Sequence, residues 1–189
     1  MTNQQNTASV SLAALISRAE RAGRGAPPVE RWNPDFCGDV DMVIRADGTW
    51  LYQGSPIRRE ALKRLFSSVL RRDEDGRTYL VTPVEKLGIT VEDAPFLAVE
   101  MSREARPDGT ALTVRTDVGD LVEAGPDHPI RFAEAKDGAF RPYILVRGRL
   151  EAAFTRALAI ELADLVETDE EGMFVRSNGA RFGVPAGGA

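Results

Sequence analysis

The chain has 189 residues, 43% of them apolar, which is enough to fill a real core and too much for a chain disordered throughout. Its 29 acidic and 24 basic residues leave a net charge of −5, so there is no basic field of the kind that supplies much of the affinity for nucleic acid. No run reaches the ~18 consecutive apolar residues needed to span a bilayer, no basic and apolar leader opens the chain, and Cys37 alone allows no intramolecular disulfide; the expectation is a cytoplasmic protein contacting neither membrane nor nucleic acid.

In chain order, a polar stretch over residues 1–7 precedes Ser9 and Ser11, either of which can cap a helix with apolar positions Leu12, Leu15, Ile16 and Ala19. Gly23 stops that helix, and Gly23 to Pro28 reads as a linker. Val40, Met42 and Ile44 then alternate along a strand, Asp47-Gly48 supplies a tight turn, and Thr49 to Tyr52 returns. Ser55 and Pro56 have the residue types of an N-cap and first helical position, which predicts a helix with Leu62, Leu65, Phe66, Val69 and Leu70 inside, ended by Asp73-Glu-Asp-Gly76. Tyr79–Thr82 and Gly88–Val91 read as paired strands around Pro83.

Further along, Phe96–Val99, Ala111–Arg115 and Leu121-Val122 are strand-like, with a turn at Asp108-Gly109. Asp137-Gly138 is another turn, and Tyr143–Val146 a strand. Gly148 is expected to precede a helix carrying Leu150, Phe154, Leu158, Leu162 and Leu165, ended by Asp169-Glu-Glu-Gly172. Met173–Val175 and Arg181–Val184 form a hairpin around Asn178-Gly179. The stretches Gly54–Gly76 and Gly148–Gly172 therefore run in similar order, which points to a degenerate internal repeat. The expected fold is α+β, with two subdomains built from a repeated strand-strand-helix-strand-strand unit and mostly antiparallel sheets. The expected divisions are a helical arm and linker over 1–28, an N-terminal domain over 29–85 and a C-terminal domain over 86–189.

Several chemistries fail on residue counts or spacing. A structural zinc site needs four His or Cys ligands, and the chain has only Cys37 and His128. Asp73, Asp75 and Gly76 have calcium-loop spacing, but Arg71 stands at the first ligand position and Thr82 at the bidentate one. No Gly-x-Ser-x-Gly elbow accompanies His128, and Cys37 in Asp35-Phe-Cys-Gly38 reads as a small packed residue. Phosphate-binding glycine loops are absent. Paired carboxylates remain, since acidic residues are numerous.

Taken together, Arg31-Trp-Asn-Pro34, Asp47-Gly-Thr-Trp50, Gly54-Ser-Pro-Ile57, Leu65-Phe-Ser67, Leu80-Val-Thr-Pro-Val-Glu-Lys86 and Val91-Glu-Asp-Ala-Pro-Phe96 resemble the bacterial family catalogued as domain of unknown function 1285. The resemblance covers about residues 28–100, with order and spacing intact. It implies small cytoplasmic proteins of a two-part α+β fold with repeated motifs, a suggested part in signalling, and no catalytic residue to carry over.

The expected function is a non-catalytic binding or regulatory module without a cofactor. The candidate site is the polar segment 82–96 with Glu85, Lys86, Glu92 and Asp93, joined by Trp50 and Tyr52, for a small anionic ligand or a protein partner. Against it stands a hydrolase using carboxylates or a carboxylate-held metal at Glu85, Glu92 and Asp93. A third reading gives the repeat surface to homodimerisation.

Overall fold

A computed structural model describes residues 12–21, 27–107, 109–134 and 140–185. The expected caps Ser9 and Ser11, the stop at Gly23 with the start of the linker, Asp108, and the turn at Asp137-Gly138 lie outside the described residues. The chain divides into two compact units after Asp93.

In the first unit, α1 (Leu12–Arg21) buries Leu15 and Ala19, one turn apart on one face. A 3-10 turn at Val29–Arg31 leads into β1 (Phe36–Ile44), followed by β2 (Trp50–Tyr52), β3 (Ser55–Pro56), α2 (Glu60–Ser68), β4 (Leu70–Arg72), β5 (Thr78–Thr82) and β6 (Glu85–Val91). The strands form one sheet in the order β3-β2-β1-β6-β5-β4. Val40, Met42 and Ile44 face the core, and the register Met42↔Tyr52 and Ile44↔Trp50 puts both aromatic rings beside them.

Every neighbouring pair is antiparallel except β1 with β6, which is parallel. It follows that β3 and β4, at the two edges, run in the same direction, so the chain between them must travel back along the strands. The nine residues of α2, about 13 Å of helix, cover that distance.

This topology corrects the expected helix start. Gln53 and Gly54 both have positive φ, 47° and 72°, the conformation of a two-residue hairpin turn. Ser55 and Pro56 therefore turn back as strand β3 against Tyr52 and Leu51, and α2 begins only at Glu60, without a side-chain cap. Proline is tolerated there because β3 is an edge strand. Nor do Asp73–Gly76 end a helix. They form the turn of the β4–β5 hairpin, closed by Gly76 N–H to Asp73 O at 3.1 Å and Asp73 N–H to Arg77 O at 3.0 Å.

The second unit contains β7 (Phe96–Arg106), β8 (Gly109–Thr116), β9 (Leu121–Glu123), β10 (Ile130–Glu134), β11 (Phe140–Arg147), β12 (Leu150–Phe154), α3 (Arg156–Ala163), β13 (Glu167–Asp169), β14 (Gly172–Ser177) and β15 (Ala180–Gly183). Its main sheet runs β10-β11-β12-β7-β8-β9, and β13–β15 make a separate three-stranded sheet. Here too one pair is parallel, β12 with β7, and the rest are antiparallel. Phe96, Leu112, Ile144, Leu150 and Leu162 are among the fully buried side chains of this unit.

The expected long helix after Gly148 is also corrected. Gly148 has φ 52° in a tight turn, Leu150–Phe154 continues as β12, and α3 starts at Arg156. Leu150 and Phe154 lie four apart, a spacing that keeps two residues on one face of a strand as well as of a helix. Asp169–Gly172 is the β13–β14 turn and does not end a helix.

The two units are similar, but along a different correspondence from the expected one. β1 to β6 and β7 to β12 follow the same path: three antiparallel strands, a return, three more, and closure by a parallel pair of first and last strands. The return is α2 in the first unit and residues 124–129 in the second. α3 with β13–β15 is an addition. The expected domain boundary after Glu85 is displaced as well. It would fall inside β6, which hydrogen-bonds to β1 on one side and β5 on the other.

Candidate functional site

The six residues singled out from the sequence do not meet at one place in the first unit. Trp50 is 1% exposed and Tyr52 7%, so neither offers a ring face to a ligand. The Trp50 Nε1–H has no hydrogen-bond partner among the described residues. Burial, and secondarily the charge of Asp41, pushes the Tyr52 phenol above its usual range. Glu85 and Lys86 are successive residues of β6 and point to opposite faces of the sheet. Glu85, on the side of Leu87 and Ile89, accepts a hydrogen bond from Arg18 Nη1 of α1 at 2.5 Å. Glu92 accepts the Ala46 N–H at 3.0 Å beyond the end of β1, and half-buried Asp93 follows it.

Lys86 alone joins a larger assembly, on the opposite face from Leu87. Its Nζ bonds Asp73 Oδ2 at 3.1 Å and lies 4.7 Å from the Tyr79 ring centre. Asp73 is also held by Arg71, through Nε at 2.6 Å and Nη2 at 3.1 Å. Burial raises the Asp73 carboxyl, but hydrogen bonds from Arg71 and Lys86 together outweigh it and hold the group below its usual 3.8. Arg71 turns its remaining donor to the carbonyls of Val29 at 3.0 Å and Trp32 at 2.5 Å, which fastens the 3-10 turn to the sheet.

On the other side of Tyr79 lies Arg77, with its guanidinium 5.3 Å from that ring and 5.6 Å from the ring of Phe36. The two rings meet edge to face at 6.1 Å and 81°. Arg77 pairs with Asp39, and Tyr79 Oη donates to Asp75 Oδ2 at 2.5 Å. That bond lowers the Asp75 carboxyl and raises the Tyr79 phenol. Gly88 lies beneath: a Cβ there would overlap the Asp39 carboxylate and stand 2.6 Å from Arg77 Nη2, so the close approach of this ion pair requires glycine.

The three cations, Arg71, Arg77 and Lys86, are thus matched by Asp39, Asp73 and Asp75. The Tyr79 phenol is held in its protonated form by Asp75. What the face presents is Phe36, 49% exposed, with a fixed guanidinium over its ring. The pairing of the strands that carry Tyr79 and Gly88 was legible in the sequence, whereas the parallel pairing that brings Phe36 opposite Lys86 and Asp39 opposite Gly88 was not.

Elsewhere, the His128 Nδ1–H donates to Leu145 O at 2.9 Å. Cys37 is exposed, with Sγ 3.4 Å from Asp35 O. Among the described residues no three His, Cys, Asp or Glu side chains gather as a metal-ligand set, and no helix is long and apolar enough to cross a membrane.

Comparison with known proteins follows the same two-part division. Residues 27–94 match the domain of unknown function DUF1285, N-terminal domain, and residues 95–184 match the DUF1285 C-terminal domain. Among solved structures, a DUF1285 family protein from Silicibacter pomeroyi is 46% identical, with a TM-score of 0.84 over 90% of this chain and 93% of that one. A DUF1285 family protein from Shewanella baltica is 30% identical, with a TM-score of 0.51 over 65% of this chain and 90% of that one. No curated protein matches. With both halves matched in order and the first of these structures aligned nearly end to end, the chain belongs to the DUF1285 family.

Proposed function

We propose that the protein is a non-catalytic binding module with a regulatory role, and that the outer face of its first unit receives a protein partner. The observation that carries this reading is the half-exposed Phe36, stacked edge-on against Tyr79 under the guanidinium of Arg77. Aromatic and arginine side chains dominate the energetics of protein interfaces, and side chains already held in one rotamer lose little entropy on docking. Here the Asp39–Arg77 pair and the Tyr79–Asp75 bond hold them. Since the charges of the face cancel, the partner is selected by apolar surface laid over Phe36, with Arg77 and Lys86 as the polar rim.

The test compares proteins captured from lysate of the source bacterium by the intact chain and by Phe36→Ser. The expected result is a partner retained by the former and lost by the latter, at unchanged unfolding midpoint. Equal capture by both, or no partner for either, overturns the assignment to this face.

A further inference from the structure

A second place stands out in the other unit, independent of the face just described. Several arginines of this unit grip a carboxylate tightly. Arg106, Arg115, Arg131, Arg147 and Arg181 hold Glu123, Glu100, Glu151, Asp120 and Asp169 at 2.5–2.8 Å. Arg103 does not. Its side chain makes no ion pair or hydrogen bond among the described residues, although it has an unusual position. The register Arg103↔Leu112 and Met101↔Val114 sets it on the same face of the β7–β8 ladder as the fully buried Leu112 and Val114. Arg103 is itself exposed, on the ladder face that Leu112 and Val114 bury farther along, and it borders a cleft of about 300 Å³.

The cleft is lined by Arg103, Thr110, Asp164, Leu165, Val166, Glu167 and Arg176. Its walls are fixed. Ser177 Oγ accepts the Leu112 N–H at 2.9 Å and donates to Ala124 O at 2.7 Å, and the Asn178 N–H reaches Thr110 O at 2.8 Å. These bonds seat the β14–β15 hairpin on β8, and Arg176 comes with it, lying 4.7 Å over the Phe174 ring. The nearest acid to Arg176 is Glu167 at 3.6 Å, beyond a hydrogen bond, so its donors remain available. Asp164 caps the C-terminal end of α3, where helix carbonyls add negative partial charge. Its carboxylate has no ion-pair partner among the described residues.

We propose that this cleft binds a small zwitterion carrying both a carboxylate and an ammonium group, a free α-amino acid in chemical class. Two guanidiniums and two carboxylates sum to no net charge, so neither a simple anion nor a simple cation gains from the site as a whole. A ligand with both charges gains from each pair: its carboxylate takes the fork of Arg103, assisted by Arg176, and its ammonium takes Asp164, assisted by Glu167. Thr110 adds a hydroxyl, and Leu165 and Val166 provide apolar wall for the ligand's own side chain. The volume stands at the small end of the range for small-molecule sites, about 300–1,000 Å³.

The test is isothermal titration of the full chain with the free L-amino acids, followed by the N-acetyl and the carboxamide derivatives of the tightest binder. At least one amino acid is expected to bind, and each derivative, having lost one charge, to bind at least roughly tenfold more weakly. Arg103→Gln and Asp164→Asn are expected to weaken binding to a similar degree, while the unfolding midpoint without ligand stays put, because neither side chain has a partner to lose. Binding that survives Arg103→Gln unchanged overturns the proposal. So does binding of simple carboxylates or amines as tight as that of the parent amino acid, or the absence of any amino-acid binding at millimolar concentration.

Discussion

Arg71 is only 7% exposed, and its guanidinium serves one carboxylate and two backbone carbonyls at once. A lysine has neither the fork nor the number of donors for that arrangement. Arg71→Ala leaves Asp73 with Lys86 alone and two carbonyls without donors, and should cost about 3 kcal/mol. For a chain of this size that lowers the unfolding midpoint by roughly 5–10 °C. Asp73 adds a pH dependence with a definite sign. Its carboxyl is held below 3.8, so the stability it contributes is present above that value and is lost as pH falls through the lower, folded one. The urea midpoint of Asp73→Asn should therefore lie well below that of the unaltered protein at neutral pH, and the gap should close at a pH under 3.8. A gap of constant size would mean that packing, not charge, is what Asp73 provides.

Among the elements, the β14–β15 hairpin is fastened by one buried hydroxyl together with the Asn178 N–H bond to Thr110 O. Ser177 is 0% exposed, and with both of its bonds directed at the main sheet it joins two sheets that share no backbone ladder. Ser177→Ala strands a buried N–H and a buried carbonyl, a cost of about 1–3 kcal/mol. Amide exchange should accelerate across β14 and β15 while the protection of β11 and β12 is unchanged; uniform acceleration would show that the hairpin is not an independent element.

That same hairpin was legible in the sequence, because Asn178-Gly179 specifies its turn by local backbone chemistry alone, with φ 47° and 72°. Local signals were ambiguous at Ser55-Pro56 and after Gly148. A cap-like serine before proline also suits a short edge strand, and a four-residue apolar spacing suits strand and helix alike. Non-local pairing left no trace. Nothing in the residues of β1 says that β6 lies beside it, and so the cluster of Phe36, Asp39, Tyr79 and Lys86 could not be assembled from segment 82–96 by itself. Arg103 was hidden for the same reason, since the face it shares with Leu112 is fixed by register.

At the scale of the whole molecule, the repeated six-strand path determines where the chain can be divided. Each unit closes through a parallel pair of its own first and last strands, β1 with β6 and β7 with β12. The last strand to be made is thus central to the sheet, and β6 stands between β1 and β5. Cutting after Asp93 keeps both closures. Residues 1–93 and 94–189, expressed separately, should each give a cooperative thermal transition and dispersed amide resonances. Cutting after Glu85 instead removes β6. The first fragment is left with β3-β2-β1 and β5-β4 as two pieces without their common neighbour: the two-stranded piece falls below the three strands that independent stability requires, and the three-stranded one has lost the pairing of β1. The second fragment carries Leu87 and Ile89 on an unpaired strand, an edge prone to association. The expected outcome is a soluble, folded pair from the first cut and an unfolded first fragment with an aggregating second from the other. Cooperative unfolding of residues 1–85 alone would show that the parallel closure contributes little and that the first unit is held chiefly by its two antiparallel halves.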